Sequence, residues 1–244
     1  MTAALPETFQ PIDRQTGFRF ACHPGVACFT DCCRQLDLAL TPYDVLRLKS
    51  RLGVTSGDFF ERYVIIEWDQ RLIFPQCYLT MVDDGRASCV FVGQGGCTVY
   101  PDRPGACRAY PVGRGAAAGV AGKVREHLVL VREPHCQGFA EKPEHNPAGY
   151  FADQGLDTYT PFNDAVLAVT QHERIMNGFR PSRAQLDQYL LALYNLDACR
   201  QEWADGRFSL RRPLSAAELQ GVAGDDEQLL RLSICWLRQE LFGE

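Results

Sequence analysis

The sequence predicts an α+β chain: a small cysteine-rich metal-binding module with a short antiparallel sheet over residues 1–150, and a C-terminal helical region over residues 151–244 packed on it. Three observations carry that expectation. Strand-like runs crowd between Val64 and Val92, capped apolar stripes at helical spacing fill the chain after residue 160, and nine of the eleven cysteines stand before residue 137.

Taken in order, residues 1–20 read as an extended lead-in, because Pro6, Pro11 and Gly17 discourage regular structure. The run CHPGVACFTDCC, Cys22 to Cys33, reads as a loop whose Pro24 and Gly25 suit a chain folding back around a small object. Thr41 and Pro42 are an N-cap and a first helical residue; Val45, Leu46, Leu48 and Leu52 supply the apolar stripe, and Gly53 stops the helix. Ser56 is expected to cap a second short helix ending at Tyr63. VIIEW, LIF, CYLTMV and ASCVFV then read as strands of one small antiparallel sheet, with Asp83, Asp84 and Gly85 turning the chain between the last two. The run GRGAAAGVAGK, Gly113 to Lys123, reads as a flexible hairpin connection into the strand HLVLVRE. It is not a phosphate loop, since Lys123 is followed by Val124 where that motif needs Ser or Thr. Residues 137–160 read as a Pro/Gly/Asn-rich crossing, and helices are expected over about 161–177, 182–205, 215–223 and 226–241. The second is the clearest: Ser182 caps it, Leu186, Tyr189, Leu190, Leu193 and Leu196 form its stripe, and Gly206 follows its end.

A net charge of −5 and a pI near 5.6 lack the electrostatic footprint of a nucleic-acid binder. No run of eighteen apolar residues and no secretory signal pattern is present, so the expectation is a cytoplasmic protein with neither nucleic acid nor membrane as partner. The expected partners are a metal ion or cluster and a protein that the sequence does not identify. No Ser/His/Asp or H-E-x-x-H arrangement occurs, Asp83 and Asp84 belong to a turn, and no catalytic residue is assigned.

The cysteines decide the chemistry. In an oxidising compartment this density would be a disulfide framework, but that need is greatest in short secreted domains, and metal ligation is the better reading here. Cys199 and Cys235, in helical patterns, read as packed thiols. Cys22, Cys28, Cys32 and Cys33 are separated by five, three and no residues, so the C-x-x-C of zinc knuckles and redox motifs is absent. Adjacent Cys32 and Cys33 leave an extended backbone in different directions, which is awkward around one tetrahedral ion and natural for two metal atoms. Gly95 and Gly96 before Cys97, and Gly105 before Cys107, permit tight turns and backbone N–H contacts to sulfur. Known ferredoxin spacings are not met, yet an iron–sulfur cluster (4Fe–4S) needs only four converging thiolates, and the thiolate number favours it over zinc. His23 and His135 read as surface or capping residues. Arg34, Arg103 and Arg108 either offset thiolate charge or pair with Asp31, Asp102 or Glu133.

Two stretches together resemble a known family. Phe20, Cys22, Cys28, Asp31, Cys32, Cys33 and Arg34, followed by Leu40, Thr41, Asp44, Arg47 and Leu48, form the first. Cys89 and Phe91, then Cys97, Thr98, Tyr100, Arg103, Pro104, Cys107, Arg108, Tyr110 and Pro111, and later Cys136 and Gly138, form the second. The pattern resembles the bacterial YkgJ-type cysteine-cluster family of zinc- or iron-chelating proteins over about residues 20–138. The resemblance implies eight ligands: Cys22, Cys28, Cys32, Cys33, Cys89, Cys97, Cys107 and Cys136, with Cys77 left over. The family's first run is more compact than C-x5-C-x3-C-C, which leaves both Cys22 and Cys28 open for its first ligand position. The implied function is to hold an iron–sulfur cluster, with redox or electron-transfer work, or else structural zinc. Flagellin lysine methylases look similar in their cysteine runs, which adds a lysine N-methylase-like enzyme as a third alternative, although no glycine-rich nucleotide loop accompanies it.

Overall fold

The computed structural model describes residues 6–69, 71–119 and 123–244. Its first half runs β1 (Phe9–Ile12), β2 (Phe18–Arg19), a 3-10 turn at Asp31–Cys33, α1 (Pro42–Leu52), α2 (Ser56–Tyr63), β3 (Val64–Glu67), β4 (Gln76–Leu79), β5 (Met81–Val82), β6 (Ser88–Cys89), β7 (Val92–Gly93) and β8 (Gly96–Cys97). A 3-10 turn at Tyr100–Asp102 leads to α3 (Gly105–Ala109), β9 (Val112–Ala118) and β10 (Val124–Val131). After another such turn at Gly138–Ala140 come β11 (Glu144–His145), α4 (Pro147–Asp153), α5 (Leu156–Thr170), α6 (Glu173–Met176), α7 (Arg183–Tyr194), α8 (Leu196–Ala204), α9 (Ala216–Gly224) and α10 (Asp226–Phe242). Short antiparallel sheets before a helical C-terminal region make the chain α+β.

The helices begin where local chemistry satisfies their first N–H groups. Thr41 Oγ1 accepts the Asp44 N–H at 3.2 Å while the Asp44 carboxylate accepts the Thr41 N–H at 2.8 Å, and Gly53 closes α1 at φ 66°. For α2 the cap is Thr55, not Ser56: Thr55 Oγ1 accepts the Asp58 N–H at 3.1 Å. Ser56 is the buried first residue of the helix, and its hydroxyl donates to Asp197 at 2.8 Å. The helix expected over 182–205 is two, because Asn195 ends α7 and its side chain caps α8 through the Ala198 N–H at 3.3 Å. The crossing expected over 137–160 is largely helical: Asn146 caps α4 ahead of Pro147, and Gly155, at φ 70°, starts α5. Pro161 lies inside α5 rather than at its start.

The strands depart further from expectation. The lead-in contains β1, which pairs antiparallel with β10, which in turn pairs with β9. Pro11 is tolerated because β1 is an edge strand. The glycine- and alanine-rich run is a strand: a Cβ on Gly113 would lie 2.8 Å from a Val129 methyl, so β9 meets β10 there only as glycine. The rest of that run, 120–122, lies outside the described residues. Arg114 of β9 ties the sheet to α5, meeting Glu126 at 2.6 Å and Asp164 at 2.7 Å. Between Val64 and Cys97 there are three two-stranded ribbons, β3-β4, β5-β6 and β7-β8, in place of one sheet, and the LIF run is not a strand. Ala87 at φ 46° and Gly96 at φ 109° turn the backbone before the last two ribbons can lengthen.

One buried cluster runs from Phe18 and Phe20 through Tyr43 and Leu48 of α1 to Leu193, Leu229, Leu230 and Leu237. Tyr43 stacks on Phe162 of α5 at 4.3 Å. The last four leucines have no exposed surface, and burying each stabilises the fold by about 1.5–3 kcal/mol. Among the described residues, no helix is long and apolar enough to cross a membrane.

Candidate metal centre

Backbone contacts between distant segments set the cysteines in place. After β2, the Phe20 N–H donates to the Pro143 carbonyl at 3.1 Å and the Ala21 N–H to the Gly138 carbonyl at 3.1 Å. A Cβ on Gly138 would lie 2.7 Å from both the Ala21 carbonyl and the Phe20 ring, so the Cys136 segment reaches Cys22 only with glycine there. Cys28 Sγ accepts the Gln137 N–H at 3.1 Å, which closes the same approach from the other side. The chain between Cys22 and Cys33 is a succession of turns, as expected, ending in the 3-10 turn that carries Cys32 and Cys33. That turn replaces the extended backbone expected at the pair.

Immediately afterwards Arg34 bridges to Ser88, and the Gln35 N–H donates to the Ala87 carbonyl at 2.9 Å, laying Cys33 beside Cys89 on β6. Cys97 closes the β7-β8 hairpin opposite Val92. A Cβ on Gly96 would be 3.0 Å from the Phe29 ring, so the first cysteine run packs directly on the second. Cys107 rides on α3, whose leading Gly105 N–H donates to the buried Asp44 carboxylate at 2.7 Å. Arg108 clips the same segment through the carbonyls of Arg103 at 3.0 Å and Gln154 at 2.7 Å, and that of Pro101.

The thiols fall into two neighbourhoods. Cys22, Cys28, Cys32 and Cys136 line one small cavity together with His135 and Tyr110. Cys33 lies outside that cavity, beside Cys89, which is coupled by charge to Cys97 and Cys107. Charge coupling runs through Cys32 to both sets, since Cys32 acts on Cys22 and likewise on Cys33, Cys89 and Cys107. Burial, then Cys32, Cys28 and Cys136, push the Cys22 thiol up to about 11. Burial, then Asp44, Cys89, Cys32 and Cys97, push Cys107 up to about 12. Its contact with the Cys32 thiol, then burial, then Cys107 and Cys89 hold Cys33 protonated well above the usual thiol range. Cys22 and Cys107 are exposed and the other six candidates half-buried, so a cation can reach the thiols and take their protons' place.

All eleven cysteines are free thiols. Cys77 is buried on β4, pushed up to about 12 by burial alone, and joins neither group. Cys199 is buried with its Sγ 3.1 Å from Ser233 Oγ, as a packed thiol should be, whereas Cys235 is exposed on α10, contrary to expectation. His23 caps a turn, its Nδ1 accepting the Gly25 N–H at 3.1 Å. Arg34 pairs with Asp31 at 3.1 Å, while Arg103 and Arg108 serve backbone carbonyls and the Gln154 side chain rather than carboxylates. Sequence reading did not single out two further residues. Asp44 ties α1 to the Cys107 turn. Tyr110 has a buried hydroxyl with no hydrogen-bond partner, facing Cys136 across the first neighbourhood. Both lie in the motifs quoted for the resemblance, which was the signal available.

An all-thiol donor set beside an orphaned hydroxyl fits soft, thiophilic metals such as zinc or iron in clusters. Among the described residues, no three His, Cys, Asp or Glu side chains already stand close enough to hold a single ion. Residues 21–137 match the family model CxxCxxCC, described as "Putative zinc- or iron-chelating domain". The match begins one residue before Cys22 and ends one after Cys136, and so spans the eight cysteines. Neither a curated protein nor a solved structure matches the chain.

Proposed function

From the match of residues 21–137 to this model of zinc- or iron-chelating domains, we propose that the protein binds iron–sulfur clusters of the four-iron type through Cys22, Cys28, Cys32, Cys33, Cys89, Cys97, Cys107 and Cys136. The observation that carries the reading is the convergence itself: five separate stretches of chain are drawn together by backbone contacts, and what each contributes is a free thiol. Thiolate number supports a cluster over a lone ion, since eight free cysteines exceed the four that one tetrahedral zinc takes. When bound, such a cluster supplies one-electron exchange. The chain's own residues partly shield the thiols, donate the Gln137 N–H to Cys28 and offer the Tyr110 hydroxyl toward Cys136.

Structural zinc is the second reading. It is favoured by how little regular structure the cysteine segments have, ribbons of two residues that a metal would have to hold. Purification without oxygen separates the two. Brown protein with visible absorbance and matching iron and acid-labile sulfide is the expected result. Colourless protein with stoichiometric zinc would replace it with the structural reading, and protein taking up neither metal would sink both.

A further inference from the structure

Resting on the metal-binding reading above, we propose that the eight cysteines form two adjoining four-thiolate centres, Cys22, Cys28, Cys32 and Cys136 in one and Cys33, Cys89, Cys97 and Cys107 in the other, rather than one shared centre.

The partition follows from placement. The first four thiols line a single cavity, closed on one side by the Gly138 approach to Ala21 and on another by the Gln137 N–H on Cys28. Neither contact involves the second set. The second four depend on different ties: the Arg34–Ser88 bridge beside Cys33 and Cys89, the β7-β8 hairpin beneath Cys97, and the Asp44 carboxylate on the Gly105 N–H ahead of Cys107. Cys33 does not line the first cavity, whereas its neighbour Cys32 does. The 3-10 turn explains how adjacent residues can serve different sites. With three residues per turn, successive side chains project about 120° apart. Four thiolates complete one cluster or one tetrahedral zinc site, so eight thiols divided four and four leave no ligand spare and none missing. Because Cys32 and Cys33 are adjacent in the chain, the two centres stand side by side.

The test is metal content per chain for the full-length wild type, Cys28→Ser, Cys97→Ser and a Cys199→Ser control, purified without oxygen. Circular dichroism checks that each variant is folded. Wild type is expected to carry two centres' worth of metal, about eight irons with equal sulfide, or two zincs if zinc is the metal. Each single variant is expected to halve that content, and the control to leave it unchanged. One centre's worth in the wild type would overturn the proposal, as would complete loss of metal from either folded single variant. If a variant does not fold, the wild-type stoichiometry decides alone. No metal in the wild type would instead remove the metal-binding reading itself.

Discussion

The stretch from residue 20 to 138 and the helices after residue 150 are held together by different means. In α10, Leu229, Leu230 and Leu237 have no exposed surface, and the helix packs on α5, α7, α8 and α9. Around the cysteines Phe20, Val26, Phe91 and Val99 are buried as well, but polar groups and close-packed glycines join them. Arg103 and Arg108 are buried against backbone carbonyls, Asp44 is buried on two N–H groups, and Gly96 and Gly138 stand where a side chain would collide. One region needs only the exclusion of water. The other is a set of turns that carries eight free thiols, none of them fully buried, within the segment that matches the chelating-domain family.

Metal removal is the strongest way to break that comparison. A structural thiolate–zinc site contributes on the order of 10 kcal/mol to folding, and a cluster is expected to act in the same range. Chelation should therefore abolish hydrogen-exchange protection between residues 20 and 138 well before it touches α7 and α10; equal loss in both regions would show that they stand or fall together. Core truncation is the converse. Leu230→Ala should cost about 2–5 kcal/mol in denaturant unfolding while leaving metal per folded chain unchanged. Gly138→Ala is smaller in energy and sharper in place. Its new methyl meets the Ala21 carbonyl at 2.7 Å, so a loss of about 1–3 kcal/mol is expected together with reduced metal at the Cys22 side. Full metal retention in that variant would show that the close approach does not shape the site.

How much of this was legible in the sequence follows the same division. Where a signal is local, it was readable: Thr41, Pro42 and Gly53 bound α1, and Ser182 opens α7 with Gln185 returning the cap at 2.9 Å. The α7–α8 break was hidden because Asn195 falls within an unbroken helical stripe. β1 and β9 were hidden because an edge strand holding a proline and a run of glycine and alanine become strands only through β10. The metal-ligand candidates were visible as residue types. Their grouping was not, because it is set by ties such as Gln137 to Cys28, 109 residues apart, and Arg34 to Ser88.

The seam between the two regions gives the smallest predicted effect. Lys49 of α1, nearly buried, meets Asp197 of α8 at 3.1 Å and Asp226 of α10 at 2.7 Å, and the Asp197 carboxylate also accepts the Ser56 N–H at 2.6 Å. Burial works to raise the Asp197 pKa, but Ser56 and Lys49 together hold it below the ordinary carboxylate value of 3.8. A carboxyl with a depressed folded-state pKa stabilises the fold fully above its unfolded value and loses that contribution as pH falls through the lower folded one. Asp197→Asn should therefore cost about 1 kcal/mol at pH 7, discounted because the carboxylate is 40% exposed and Lys49 keeps Asp226. Below about pH 3 the wild type is protonated too, and the two proteins should converge. Measuring the difference between variant and wild type by urea unfolding at each pH cancels any acid release of metal. A gap that stays constant from pH 7 to pH 3 would mean that the Asp197 charge contributes nothing, leaving the Lys49–Asp226 pair as the ionic tie of α1 to α10.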